Sequence, residues 1–224
     1  MTSSPSTSLQ IETFVCGPLQ TNAFLLLDRA AKTAVVIDPS IQSDAAFELA
    51  KTWRTQGITL DAIWNTHGHF DHIYDNARWK SEFGAPIYAH PADAFFIENL
   101  REQAIWFGLP APQTAPADFE LQQDQILQIG SHSVQILFLP GHSPGSVGFY
   151  FPHQELCIGG DVLFAGSVGR TDLPGCSERD LAASVRQLFA LPPQTTIWPG
   201  HGPQTTIEIE KRGNAVARQL LAHF

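Results

Sequence analysis

Basic residues are scarce in this chain. Its 224 residues include only four lysines, there is no basic run, and the formal charge is −9. A protein that neutralises nucleic-acid phosphates needs clustered Lys and Arg, so the composition argues against nucleic acid as a partner. Apolar runs are short as well. None approaches the roughly 18–20 residues that span a bilayer, and no membrane partner is expected. Cysteine is sparse and scattered: Cys16, Cys157 and Cys176 do not make a disulfide framework, so a reducing cytoplasm is the expected compartment. Residues 1–10 are Ser/Thr-rich and lack the basic and apolar regions of an export signal; they are expected to form a flexible N-terminus. Residues 11–224 are expected to form a single domain, since 43% hydrophobic and 16% charged residues fit a globular chain with a sizeable core.

Against this background stands Thr66-His67-Gly68-His69-Phe70-Asp71-His72, with three imidazoles and a carboxylate in six residues, just after the apolar run Ala62-Ile63-Trp64. A strand sends side chains to alternate faces, and a chain turning at its end can aim several of them into one cavity. Imidazole suits zinc, iron and copper, and Gly68 offers a bend where ligands must converge. Three later segments each present one more ligand type at a strand end beside Gly or Pro: His142 in Leu139–Gly145, Asp161 after Cys157–Gly160, and His201 in Trp198–Gly202. A lone histidine at a strand end is more often structural than a ligand; four such segments in one chain point to a metal site.

Turn signals divide the chain into alternating strands and helices. Strands are expected at 11–15, 23–27, 34–37, 61–66 and 87–90, then at 125–129, 134–139, 148–151, 155–158 and 196–198. Helices are expected at 44–56, closed by Gly57, and at 75–83, closed by Gly84, with others at 92–107, 177–189 and 207–221. Residues 109–119 have no period and read as a surface connection. Strands clustered in each half with helices between them fit two mixed sheets flanked by helices.

The pattern His67-x-His69-x-Asp71-His72, continued by His142, Asp161 and His201, resembles that of the metallo-β-lactamase fold superfamily. Within it the chain is similar to the glyoxalase II group, in particular to its shorter hydrolases lacking the glutathione-binding C-terminal helical domain. Gly159–Phe164 and Gly169–Gly175 carry that narrower likeness. The resemblance implies an α/β fold, a four-layer αββα sandwich with the site at one edge. It also implies two divalent metal ions, zinc foremost, with iron or manganese compatible. His67, His69 and His142 would hold the first, Asp71, His72 and His201 the second, and Asp161 would bridge them. Open positions on both ions would share a water, the mark of a catalytic rather than a structural site.

The activity implied is hydrolysis of S-2-hydroxyacyl thioesters such as S-lactoylglutathione. A hydroxide held between the ions would attack the carbonyl, and Asp71 would orient it. A thiolate leaves well, which suits such a site. The alternative on the same fold is a persulfide dioxygenase holding one Fe(II) through His67, His142 and Asp161. Arg170 invites two readings: a bidentate grip on a substrate carboxylate, or a pair with Asp172 that holds its loop. Asp38, in an Asp-Pro turn, is expected to support the ligand loop without binding metal. His90 is expected to be structural or supporting, His132, His153 and His223 to lie at the surface, and Cys157 to be buried. No catalytic role is expected of Cys176, and oligomeric state stays open.

Overall fold

Six strands build the first sheet in chain order: β1 (Leu9–Cys16), β2 (Thr21–Asp28), β3 (Thr33–Ile37), β4 (Thr59–Trp64), β5 (Ile87–Ala89) and β6 (Phe119–Glu120). The first three pair antiparallel and β3 to β6 pair parallel. Parallel neighbours require crossovers, and helices supply them. The crossovers are α1 (Asp44–Thr55), then α2 (Phe70–Ile73) with α3 (Asn76–Phe83), then α4 (Ala94–Glu98) with α5 (Leu100–Trp106). The computed structural model describes residues 9–224.

The second sheet is formed by β7 (Ile126–Ile129), β8 (His132–Phe138), β9 (Val147–Phe151) and β10 (Leu156–Gly160). Past the small hairpin of β11 (Leu163–Phe164) and β12 (Ser167–Val168), it is completed by β13 (Thr196–Pro199) and β14 (Thr205–Thr206). Here β10 and β13 are parallel, joined over α6 (Glu178–Phe189); α7 (Ile207–Gly213) and α8 (Ala215–His223) end the chain.

The sheets pack face to face. Phe24, Ile37 and Trp64 of the first meet Ile136, Phe149 and Ile158 of the second, and the Trp64 and Phe149 rings stack at 5.1 Å. The outer face of the first sheet is covered by α1 and α3 through Phe47, Trp53 and Trp79. That of the second is covered by α6 through Leu181, Val185 and Leu188, with Ala217 of α8. The result is the four-layer αββα sandwich of two mixed sheets. All eight residues of β2 are buried, as expected of a strand covered on both faces. Among the described residues, no helix is long and apolar enough to cross a membrane.

Several expectations need correction. Residues 1–8 of the flexible segment lie outside the described residues, whereas Leu9 and Gln10 pair with Asp28 and Leu27 as part of β1. The helix expected over 92–107 is broken: a 3-10 turn at Pro91–Asp93 precedes α4, and Asn99 separates α4 from α5. The amide of Asn99 bonds the carbonyl of Phe95, the kind of local bond by which Asn competes with a continuous helix. Asn214 breaks 207–221 differently, capping α8 by accepting from the Ala217 N–H. His132 is buried rather than superficial, its Nδ1 bonded to Gln154 and its Nε2 3.7 Å from Asp28. His153 and His223 are exposed, and Cys157 is buried.

Candidate metal centre

The seven His and Asp residues singled out in the sequence converge where strand ends of both sheets meet. The loop after β4 carries His67 and His69, and α2, which follows it directly, carries Asp71 and His72; the loops after β8, β10 and β13 bring His142, Asp161 and His201. Backbone bonds tie these loops together: Val147 N–H to Thr66 O, Gly200 N–H to Gly160 O, and Asn22 N–H to Gly200 O. Gly200 has no substitute here, because a Cβ would run into Asp161 Oδ1 and the ring of His72. Gly68 serves differently from the expected bend. Its φ is not left-handed; its lack of a side chain instead makes room for Asp93 and Phe96, whose Cβ atoms would stand 3.0 Å from an added Cβ.

Three sets of ligand atoms lie close enough to share an ion: His67, His69 and His142; Asp71, His72 and His201; and His67, His72 and Asp161. Within each set the atoms are within 4.8 Å of one another. Asp161 faces both histidine groups, its oxygens 3.5 Å from His142 Nε2, 3.6 Å from His72 Nε2 and 3.4 Å from His201 Nε2. Buried polar atoms normally have partners, yet Nε2 of His67, His69 and His72 and Oδ1 of Asp161 have no hydrogen-bond partner. Those of His67, His72 and Asp161 converge on one space, as cation ligands must, and His69 turns its Nδ1 to the same centre, 2.9 Å from His142 Nε2, so the residues present fit divalent ions.

The opposite ring nitrogens are held from behind. His72 Nδ1 bonds Asp38 at 2.9 Å, and His67 Nδ1 meets Thr66 Oγ1, which itself donates to Asp38 at 2.6 Å. His142 Nδ1 donates to the Arg170 carbonyl and His201 Nδ1 to that of Leu19, both at 3.0 Å. Such bonds fix the ring tautomer and turn Nε2 toward the other ligand atoms, where that of His142 lies 2.9 Å from His69 Nδ1. Asp38 is thus placed where the sequence expected it, and it also accepts the Thr66 N–H. His90 lies outside the ligand groups: its ring stacks on Phe138 and accepts the Ala92 N–H.

Electrostatics divides the cluster. Burial, with the neighbouring imidazoles, pushes His67 well below its ordinary pKa; burial and His142 bring His69 down to about 3. Burial also works against charge on His72, but Asp71, Asp161 and Asp38 outweigh it and raise His72 to about 9. His201, likewise against burial, is raised to about 11 by Asp161 and Asp71. Both of those carboxylates sit below the usual range despite burial, chiefly through His72 and His201. The acidic side therefore attracts positive charge, and the His67/His69 side offers neutral imidazoles, the form that binds metal.

Sequence reasoning missed several supports. Asp93 is buried and accepts from Gly68 N–H (2.7 Å), Ser143 Oγ (2.6 Å) and Gly145 N–H (2.6 Å), joining two ligand loops. Thr21 donates to Asp71 Oδ2 at 2.8 Å, and Asn22 holds the His201 loop through the carbonyls of Pro199 and Gly202. The polar pair Thr21-Asn22 opening an apolar strand was the available signal. Asp93 had none, because its partners lie 25 to 52 residues away.

The centre opens into a cavity of about 850 Å³ that reaches Arg170 and the aromatic residues of α4 and α5. Arg170 is exposed and paired with Asp172 by two bonds, Nε to Oδ1 at 2.6 Å and an Nη to Oδ2 at 2.7 Å. It both pairs with Asp172 and lines the cavity. Half-buried Cys176 donates its thiol hydrogen to the carbonyl of His142.

Residues 16–201 match the family model of the metallo-beta-lactamase superfamily, and the chain belongs to that superfamily. The hydroxyacylglutathione hydrolase GloC of Haemophilus influenzae is 36% identical over 92% of this chain and 97% of its own. Among solved structures, the BLEG-1 B3 metallo-beta-lactamase superposes with a TM-score of 0.82 at 35% identity, covering 92% of this chain and 98% of that one. TTHA1623, solved in a di-iron-bound form, gives 0.80 at 38% identity over 91% and 98%. The chain is a metallo-hydrolase of this superfamily, with His/Asp clusters compatible with a metal site.

Proposed function

We propose that this metallo-hydrolase cleaves S-2-hydroxyacyl thioesters, in the manner of a hydroxyacylglutathione hydrolase, with two divalent ions held by His67, His69 and His142 and by Asp71, His72 and His201, and with Asp161 between them. The observation that carries the reading is the pair of ligand groups sharing Asp161 at the floor of a cavity large enough for a small thioester. The likeness to GloC supports it. Zinc, with iron or manganese as the alternatives, would supply Lewis acidity there and make a bound water acidic near neutral pH.

The reaction adds water across the C–S bond: a C–O bond forms at the carbonyl carbon, the sulfur departs with the electron pair, and a proton from water ends on the thiol. Asp71 is the group that orients the attacking water, because Thr21 fixes its Oδ2 and hence the plane of the carboxylate. The thiol's own carboxylate is assigned to Arg170, whose guanidinium offers a planar fork to such a group once it exchanges Asp172 for substrate. That exchange is cheap because the pair is exposed. The Arg170 carbonyl is bonded to His142, so the residue that meets the substrate also braces a ligand.

Purified protein loaded with zinc, iron or manganese is expected to consume S-lactoylglutathione, followed by loss of thioester absorbance. Background rates with all three metals overturn the proposal; oxygen uptake with glutathione persulfide would assign the site to a dioxygenase instead.

A further inference from the structure

The cavity has two unlike sides. Arg170 is the only Lys or Arg in its lining among the described residues, and it lies on the loop after β12. The other side, on α4, α5 and the residue that ends α5, presents Phe95, Phe96, Trp106 and Phe107. Exposed large apolar groups are informative when they are contiguous with a site. Of the five tryptophans Trp106 alone is exposed, at 77%, and Phe95 stands 65% exposed beside the same opening. This wall runs down to the ligands: the Phe96 ring meets His69 edge-on at 5.2 Å, and Phe107 lies 4.7 Å from Phe70, next to Asp71.

Polar groups in the wall are largely spent on the backbone. Gln103 holds the carbonyls of Phe96 and Gly68 and the Phe70 N–H, and Asn99 holds the carbonyl of Phe95. The charged group that remains, Glu102, repels an acidic limb. A glutathione-like thiol therefore belongs on the Arg170 side, and the acyl group is left facing aromatic rings.

Building on the thioester reading above, we propose that the preferred acyl group is large and apolar, an aryl or long-alkyl 2-hydroxyacyl chain, seated on Phe95, Trp106 and Phe107, and that these residues set acyl specificity. Lactoyl, with a single methyl, leaves that wall in water. Each added methylene or ring that becomes buried stabilises the bound transition state, and single-methylene differences in apolar pockets already amount to about 10-fold or more.

The test holds the thiol constant and varies the acyl group: S-lactoyl-, S-mandeloyl- and S-(2-hydroxyoctanoyl)glutathione, with metal-loaded full-length protein. The expected result is a kcat/KM at least about 10-fold higher for the two apolar acyl groups than for lactoyl. That ratio should fall toward unity in Trp106→Ala and Phe95→Ala and stay unchanged in Ile105→Ala, a neighbouring exposed residue outside the cavity lining. Hydrolysis of all three at equal rates, or a preference that survives both substitutions, overturns the acyl assignment and leaves the hydrolase standing. No hydrolysis of any of them removes the thioester reading itself, and the acyl assignment with it. A dimer in light scattering that Trp106→Ala converts to monomer would give the wall to a second copy of the chain and also overturn the assignment.

Discussion

The floor and the wall of the cavity are built on opposite principles. On the floor, imidazoles and carboxylates that are all buried except half-buried His201 come from segments after four strands, and nearly every ring is held from behind by Asp38, Thr66 or a backbone carbonyl. On the wall, large aromatic side chains face water from two short helices, separated by a break at Asn99. A buried polar network must be complete to be stable, so the floor tolerates little change. An exposed apolar wall carries no such constraint. Chemistry is fixed where change is costly, and specificity is left where it is cheap.

The largest effect should come from breaking the floor at its shared member. Asp161→Ala removes the carboxylate that faces His72, His142 and His201. Bound metal and turnover should fall together by more than about 100-fold, beyond what losing a supporting residue costs. A variant with full metal content and wild-type turnover would show that the ligand assignment is wrong. Asp38→Asn is the milder probe: it keeps the shape but weakens the hold on His72 and Thr66. Metal affinity, measured by competition with a chelator, should drop by about 10- to 100-fold while the fold persists. Unchanged affinity would demote Asp38 to a turn residue.

Those two positions also mark how far the sequence could be read. The seven-residue pattern was legible because metal chemistry admits few side chains and strand ends present them at recognisable spacing. Asp38 was legible through the same resemblance. Asp93 was not, since one carboxylate in a surface-like Pro-Ala-Asp stretch gives no hint that it will be buried against Gly68 and Gly145. Elements were legible wherever hydrophobic period and a Gly stop agreed, as in α1 and α3. Residues 92–107 and 207–221 were expected as single helices; the breaks lie at Asn99, which bonds the Phe95 carbonyl, and at Asn214, which caps α8, and such local side-chain bonds leave no mark in the hydrophobic pattern. His132 looked superficial by its polar flanks; its burial depends on Asp28 and Gln154, which lie far away in the chain.

A smaller effect is expected between floor and wall. Arg170→Ala removes the guanidinium but keeps the carbonyl that holds His142. Metal content should be unchanged, and KM for thiols bearing a carboxylate should rise by about 10-fold or more, the scale of a hydrogen bond to a charged group. Neutral thioesters should be indifferent to it. Equal losses for charged and neutral thiols, with a lowered Tm, would instead assign Arg170 to bracing its loop through Asp172.

Elemental analysis of the wild-type protein after reconstitution and removal of excess metal tests the centre of this account most directly. The arrangement of two ligand groups about Asp161 predicts two divalent ions per chain. One ion per chain, or none with zinc, iron and manganese alike, would contradict it.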